Sequence, residues 1–418
     1  MTEQSRPDAL AGSEYEVQLD RAGTRVAAHP TRPEIQLLSP DFYVDPEPSY
    51  AWMRANAPVY WDDTSGIWGI TRYADIMKVS KDAETFCSGQ GSRPDSNVPS
   101  MINTDPPDHN RRRGIVSAGF TPRRVQAHES FLRTRVRSLL DAVASQGECD
   151  FVKDIATPLP MFMIGELMGL PEEDYDRLLE WSDLFATGGD EVREQVGPAV
   201  IDWANYIMKI VAERRAGDGQ AEDLVSLVVN AEFEGERFTD ADLIMETMLI
   251  LVGGDETTRH VISGGLEALM RNRNQWDALL EDRSLLPSAI EEMLRWVTPI
   301  QNMNRTATRD VTLGDQKIHA GDRMLLLYLS GNRDERVFDD PDRFDIRRQP
   351  NQHMAFGGYG RHHCLGAQLA RLELRVLFEE LLEHFPDIAL ATPDAPRAKR
   401  RGNFVLGLES LPVKLNQH

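Results

Sequence analysis

Apolar residues recur every three to four positions through most of this chain and follow a strand pattern in only a few short stretches, so the predicted elements are mainly helices. Two β-prone runs at 59–61 and 67–70, parted by a polar break ending in Gly66, predict a hairpin, and a helix follows over 73–80. Residues 89–107 are rich in Gly, Pro, Ser and Asn and predict a loop. From 109 to 254 the helical period dominates, most clearly at 126–145, 162–168, 172–184 and 199–215. The longest pattern opens at Thr239, an N-cap residue with Asp242 three positions on, and reaches about residue 270, roughly 45 Å at 1.5 Å per residue.

A shorter helix at 287–297 begins with Pro287 and stops before Pro299. Strand-like pieces follow at 311–313, 316–318 and 323–327, with Gly314-Asp315 and Gly321-Asp322 as turns. Residues 332–354 are irregular, 367–384 form another amphipathic helix, and 403–413 read as strand. No repeat or linker divides the chain. Residues 1–36, polar and aperiodic, read as a loosely ordered extension on one large domain over 37–418, mainly α with small β-sheets (α+β).

Composition removes several function classes. Hydrophobic residues at 41% and charged residues at 27% suit a globular protein with a substantial core. No stretch approaches the ~18 unbroken apolar residues of a membrane span, and the N-terminus lacks the basic head and apolar run of a secretory leader, so the expected compartment is cytoplasmic. A formal net charge of -21, from 46 basic and 67 acidic residues, argues against nucleic-acid partners. Cys87, Cys149 and Cys364 leave at least one cysteine unpaired and give no disulfide framework.

Residues 356–366 gather four glycines around Cys364 immediately before the 367–384 helix. Backbone must approach something closely there, and a helix N-terminus favours the thiolate that an iron ion requires. An inert cysteine in a Gly-rich turn is one alternative. Zinc held by His362, His363 and Cys364 is another, although three consecutive residues do not readily aim at one tetrahedral ion. On the long helix, residues 253–258 include Gly253 and Gly254, each costing ~1 kcal/mol relative to Ala; a flat ligand against a locally opened helix would offset that, and a kinked core helix is the other reading. Glu292 and Arg295 stand at i, i+3, the spacing of an ordinary intrahelical pair.

Taken in order, these stretches resemble the cytochrome P450 family over about residues 37–413. The resemblance implies that family's fold, a single triangular-prism domain, with haem b bound through the thiolate of Cys364, its metal ligand. It implies Phe356 and Gly366 beside the haem, and His109, Arg113, Arg305 and His353 against its two propionates. Glu256 and Thr257 resemble the family's acid and alcohol pair, the acid relaying protons and the alcohol hydrogen-bonding bound O2. Glu292, Arg295 and Arg343 resemble its structural triad, which fixes the cysteine loop. One more residue than usual separates Phe356 from Cys364, a variant similar to a branch of bacterial lipid and sterol hydroxylases.

Residues 245–295 and 403–413 resemble actinobacterial enzymes that oxidise the terminal methyl of the cholesterol or cholest-4-en-3-one side chain. The implied activity is monooxygenation of a sterol side chain, with methyl-branched fatty acids, terpenoids and polyketides as alternative substrates. The implied pocket draws on Val98, Met101, Ile250, Val252, Gly253, Ile300, Gln301, Met303, Phe404 and Val405, beside helices near 178–185 and 199–207. No flavin or iron–sulfur segment is present, so electrons from NAD(P)H would arrive through a separate ferredoxin and ferredoxin reductase, docking on Arg111, Arg112, Arg123, Arg124 and Arg361. The expected state is a monomer. Two rival classes are a peroxide-driven peroxygenase, which needs neither Glu256 nor Thr257, and a non-catalytic haem carrier or sensor without an open distal pocket.

Overall fold

The computed structural model describes residues 29–94, 97–187, 193–217, 222–232 and 235–415. Eight of its helices position the site: α1 (Asp108–Ser117), α2 (Glu129–Ala144), α3 (Pro158–Met168), α4 (Tyr175–Thr187), α5 (Arg193–Ala216), α6 (Asp240–Arg271), α7 (Leu286–Val297) and α8 (Ala367–His384). The first turn of α6 carries the reciprocal cap its sequence predicts: the Thr239 hydroxyl accepts from the Asp242 amide, and the Asp242 carboxylate accepts from the Thr239 amide. Its 32 residues rise about 48 Å. Leu251, Ile262 and Leu266 are fully buried on it, and so are Glu246, Asp255, Glu256 and Ser263, because α3, α4, α5, α7 and α8 all pack against it. A helix enclosed on every side makes each of its polar residues a question of partners or of function.

The strands are β1 (Val59–Asp62), β2 (Ile67–Ile70), β3 (Phe86–Cys87), β4 (Glu148–Asp150), β5 (Asn302–Ala307), β6 (Val311–Leu313), β7 (Gln316–Ile318), β8 (Arg323–Leu327), β9 (Ala389–Leu390) and β10 (Pro412–Lys414). β1 and β2 form the predicted hairpin, with Val59 opposite Ile70. β8 lies parallel to β2 and antiparallel to β5, giving the order β1-β2-β8-β5-β3. α7 ends as predicted before Pro299, which disfavours helical backbone at the preceding residue; Thr298 adopts a left-handed φ of 43°.

Two stretches depart from the sequence reading. β5 carries Asn302, Asn304, Arg305 and Thr306 and shows no hydrophobic alternation; it is a strand because its backbone completes the ladder of β8. Residues 403–413 are mostly irregular, with isolated bridges from Val405 to Ile300 and from Leu408 to Lys399 before β10. Their backbone is spent on a loop instead: the Gln301 amide donates to the Phe404 carbonyl and the Leu406 amide to that of Pro299. Gly407 comes so near α6 that a Cβ would fall 2.0 Å from the His260 ring.

Residues 1–28 of the expected loose extension lie outside the described residues, and 29–36 do not fit that expectation. Ile35 is buried, and His29 Nε2 accepts the Trp61 amide at 2.8 Å with its ring against Tyr60 and Trp68. Single side chains dock this segment, so it has no period to read. Among the described residues no helix is long and apolar enough to cross a membrane.

Candidate active site

A cavity with about 1450 Å³ of non-atom space, its mouth included, lies between α6 and the loop that leads into α8. Ile250, Gly253, Thr257 and Val261 of α6 line it, with Phe356, Cys364, Leu365 and Gly366 of the cysteine loop, Leu369 of α8, and Met101, Ile300 and Met303 at its borders.

The glycines of the loop seat it on the helix Tyr73–Lys81. A Cβ on Gly358 would fall 2.2 Å from the Ser80 hydroxyl and one on Gly360 1.9 Å from the Ser80 carbonyl, while Gly357 has a φ of 95°. The Cys364 amide donates to the Phe356 carbonyl at 2.9 Å, and Arg113 Nη2 to the His363 carbonyl at 2.6 Å. Arg371 stacks over the Phe356 ring at 4.7 Å and is itself ion-paired to Glu291. Burial pushes the Cys364 thiol up, against a smaller downward pull from the Gly366 amide, Arg113 and Arg371. A metal ion at the sulfur would hold it as thiolate, since a coordinating thiol is deprotonated outright.

Beside the loop, four basic groups converge. His109 is buried with neither ring nitrogen hydrogen-bonded, and its ring lies 4.2 Å from that of His362. Burial, together with Arg305, His109 and Arg113, drives His362 down to about 2. No carboxylate among the described residues forms an ion pair with His109, Arg113, Arg305 or His362. Such a cluster suits a ligand that brings its own negative charge. A planar apolar group bearing two carboxylates, with a metal ion near Cys364, meets each demand of the lining, so the residues fit haem.

Of the predicted propionate contacts, the structure brings His109, Arg113 and Arg305 together and leaves His353 outside. His353 Nε2 contacts Glu291 at 3.1 Å and its Nδ1 accepts the Ala355 amide, away from the cavity wall. His362 lines the cavity and joins the other three basic groups. It stands two residues before Cys364, and the sequence reading weighed it only for zinc. That alternative fails on direction: the His363 ring stacks on Tyr359 while that of His362 turns to His109, and no metal-binding group of His, Cys, Asp and Glu occurs among the described residues.

The triad also changes membership. Glu292 takes Arg295 bidentately, both contacts at 2.7 Å, and both side chains are fully buried. Arg343 turns outward to Asp345, its side chain 65% exposed, and it is Arg348 that reaches Glu292, at 3.2 Å. The Arg343 backbone still contributes, its carbonyl accepting from Arg295 and Arg348.

α6 runs as uninterrupted α-helix past the cavity, with no opened turn, and Thr257 Oγ1 donates to the Gly253 carbonyl at 3.2 Å. Its two glycines serve different ends. A Cβ on Gly253 meets nothing within 4 Å, whereas one on Gly254 would fall 2.6 Å from Ile164 of α3. Gly254→Ala is therefore expected to lower the free energy of unfolding by about 1–3 kcal/mol in a urea titration. Gly253→Ala should instead gain up to about 1 kcal/mol of helix propensity and weaken binding of bulky ligands by occupying the cavity. Equal losses of stability in both variants would contradict this division.

Glu256 points away from the cavity lining. It is paired with Arg259 and with Arg400 at 3.0 Å, and His260 lies 3.5 Å away. Burial would raise its carboxyl, but His260, Arg259 and Arg400 together bring it down to about 2.

Of the predicted pocket, Met101, Ile250, Gly253, Ile300 and Met303 line the cavity; Val98, Val252, Gln301, Phe404 and Val405 do not. Gln301 donates to the Thr298 carbonyl, and Phe404 lies under Arg93 at 4.5 Å. Among the described residues none of α4 or α5 contributes, and Phe120, Leu249 and Tyr328 do so unforeseen. In the expected basic patch, Arg112 is turned inward to Asp108, Asp242 and Glu246, so it is no docking residue; Arg123 and Arg361 remain exposed, and Arg124 is half-buried with its Nη1 donating to the Glu222 carbonyl.

The cytochrome P450 family profile matches residues 178–416, more than half of the chain. Over 391 residues, 92% of this chain and 96% of the relative, it is 46% identical to a steroid C26-monooxygenase of Mycolicibacterium smegmatis. It is 35% identical to a methyl-branched lipid omega-hydroxylase of Mycobacterium bovis, over 91% of this chain and 94% of the relative. A Bacillus megaterium cytochrome P450 solved in complex with testosterone superposes with a TM-score of 0.83 at 32% identity, covering 90% of this chain and all of the other. A cysteine opening into a large apolar cavity, basic groups gathered beside it and agreement along nearly the whole chain lead to one conclusion: this protein belongs to the cytochrome P450 family and is a monooxygenase that uses haem and O2.

Proposed function

We propose that this enzyme hydroxylates the side chain of a sterol at its terminal methyl, with Cys364 as the residue that would hold the haem iron. The observation that carries the reading is one cavity wall shared by Cys364, Arg113, Arg305, His362 and Thr257. When bound, haem supplies the iron at which O2 is reduced and split, one oxygen atom entering the substrate and the other leaving as water. His109, Arg113, Arg305 and His362 would hold its carboxylates, and Phe356 and Gly366 would border it. Thr257 presents its hydroxyl to the cavity, where it orients water and a hydrogen-bonded oxygen. Glu292, Arg295 and Arg348 fix the segment before the cysteine loop.

Most of the remaining lining is apolar, with Ile102, Phe120, Leu249, Ile250, Ile300 and Met303 offering shape and little hydrogen bonding, as a sterol side chain requires. The steroid C26-monooxygenase relative supports that substrate class. The methyl-branched lipid omega-hydroxylase relative favours a second reading, the same chemistry on a branched acyl chain. Electrons from NAD(P)H reach the site through a ferredoxin and its reductase, which the exposed Arg123 and Arg361 would attract on an acidic protein.

Spectral titration of the holoenzyme with cholest-4-en-3-one and with a methyl-branched fatty acid tests the assignment. A saturable shift with the sterol at concentrations at least ~10-fold lower than with the fatty acid, a difference of about 1.4 kcal/mol, is expected. No response to the sterol alongside a clear response to the fatty acid would replace the first reading with the second.

A further inference from the structure

His353, Glu291 and Arg371 have no part in the function proposed above, yet they form one connected unit behind the cysteine loop. Glu291 of α7 takes Arg371 of α8 through both oxygens, Nε at 2.7 Å and Nη2 at 2.8 Å, and its Oε2 also meets His353 Nε2 at 3.1 Å. Because His353 Nδ1 accepts the Ala355 amide, the ring carries its proton on Nε2 and donates a hydrogen bond to Glu291. Burial would raise the Glu291 carboxyl, but Arg371 and His353 bring it down to about 2, so it is ionised near neutrality.

Both partners of that carboxylate meet one ring. The Arg371 guanidinium lies over Phe356, 4.7 Å from its centroid, and the His353 ring is 5.8 Å from it. The Phe356 carbonyl accepts the Cys364 amide, and both residues line the cavity. Glu291 and Arg371 do not line it; they border a separate surface groove with Val125, Ile290 and Leu372. The charge of Arg371 reaches the sulfur all the same, since with the Gly366 amide and Arg113 it pulls the Cys364 thiol down against burial. Arg113 belongs to the basic cluster inside the cavity, which leaves Arg371 as the cation of that set balanced by a carboxylate outside it.

We propose that Glu291, Arg371 and His353 form a clamp on Phe356 that sets how readily a metal ion held at Cys364 accepts an electron, with Glu291 the positioning residue that both holds and balances Arg371. The proposal rests on the haem reading of Cys364. One electron from the external reductant goes to the metal, and at the clamp no bond forms or breaks and no proton moves. A positive charge left unbalanced near the sulfur favours the reduced metal, and an unbalanced negative charge favours the oxidised one. Glu291 and Arg371 have side chains 29% and 31% exposed, so solvent screens part of each charge and the effect is several-fold, not several orders of magnitude.

Glu291→Gln keeps an acceptor for Arg371 and His353 and removes the negative charge; Arg371→Met keeps a long side chain and removes the positive one. Spectroelectrochemical titration of the holoenzyme should find the equilibrium moved about threefold toward the reduced form in the first and about threefold toward the oxidised form in the second. That is ~28 mV in opposite directions, at ~59 mV per tenfold for one electron. Arg371→Lys, which keeps the charge, and the double variant Glu291→Gln/Arg371→Met, which removes both, should stay near the wild-type potential. A role confined to packing would move both single variants the same way. Shifts of one sign, or none in either, overturn the clamp, while an intact carbon monoxide band leaves the function standing. If one single variant does not retain haem, the other decides together with the double variant, whose departure from wild type by as much as the single overturns the clamp. A wild type without the sulfur-ligated band overturns the function and the clamp together.

Discussion

Cys364→Ser is expected to abolish the absorption band that sulfur-ligated haem gives with carbon monoxide, and to bring substrate hydroxylation to background, in a protein that still folds. The loop is held through backbone: the Cys364 amide donates to Phe356, and Gly358 and Gly360 rest against Ser80. None of these contacts uses sulfur. The apolar wall and the cluster of His109, Arg113, Arg305 and His362 also remain, so a porphyrin still has carboxylate contacts and a surface to bury. What disappears is the one soft, readily deprotonated ligand, because a serine hydroxyl does not ionise as a thiol does beside a metal ion. The measurement is the spectrum of the reduced protein with carbon monoxide, set beside its haem content and its thermal unfolding. Persistence of the band in the serine variant would sink the assignment.

Glu292→Ala should cost about 3–5 kcal/mol of stability, because it strands a buried guanidinium. Glu292 accepts from Arg295 at two positions and also from the Asp345 amide, Arg348 and Asn351 Nδ2. Removing one carboxylate leaves all of these donors in a region closed to water, where an unmet charge is far more costly than an absent pair. The affected segment leads directly to the cysteine loop, so haem should be lost at a lower denaturant concentration than in the wild type. Arg343→Ala is the control: its side chain is exposed and, among the described residues, ion-paired only to Asp345, so the unfolding midpoint should not move measurably. A large loss from Arg343→Ala and a small one from Arg348→Ala would restore the triad first read from the motif.

The contrast between Arg343 and Arg348 shows where sequence reading stops. Pro341-Asp342-Arg343-Phe344 marks the right turn of chain, but two arginines five positions apart on an irregular segment can exchange places without changing any local pattern. The same holds for His353 and His362, both near Cys364 in sequence; the seating of the loop on Ser80 turns one toward Glu291 and the other toward Arg305. Arg112 looked like a surface cation, and the packing of α1 against the start of α6 buries it among three acids. β5 was missed for a related reason, since a strand enclosed by its neighbours needs no alternating face of its own.

The caps and breaks of α6 and α7, the turns around β6, β7 and β8, and the Gly-rich setting of Cys364 were determined by residues within a few positions of one another. Interactions of that range act wherever the segment lies, so they are legible in the chain alone. Which histidine meets the cavity, which arginine completes the triad, and which acid keeps its proton were decided by tertiary structure. Each depends on the loss of water and on charges brought from distant stretches, as when α4 and α8 close around Asp255. Desolvation and through-space charge have no counterpart along the sequence.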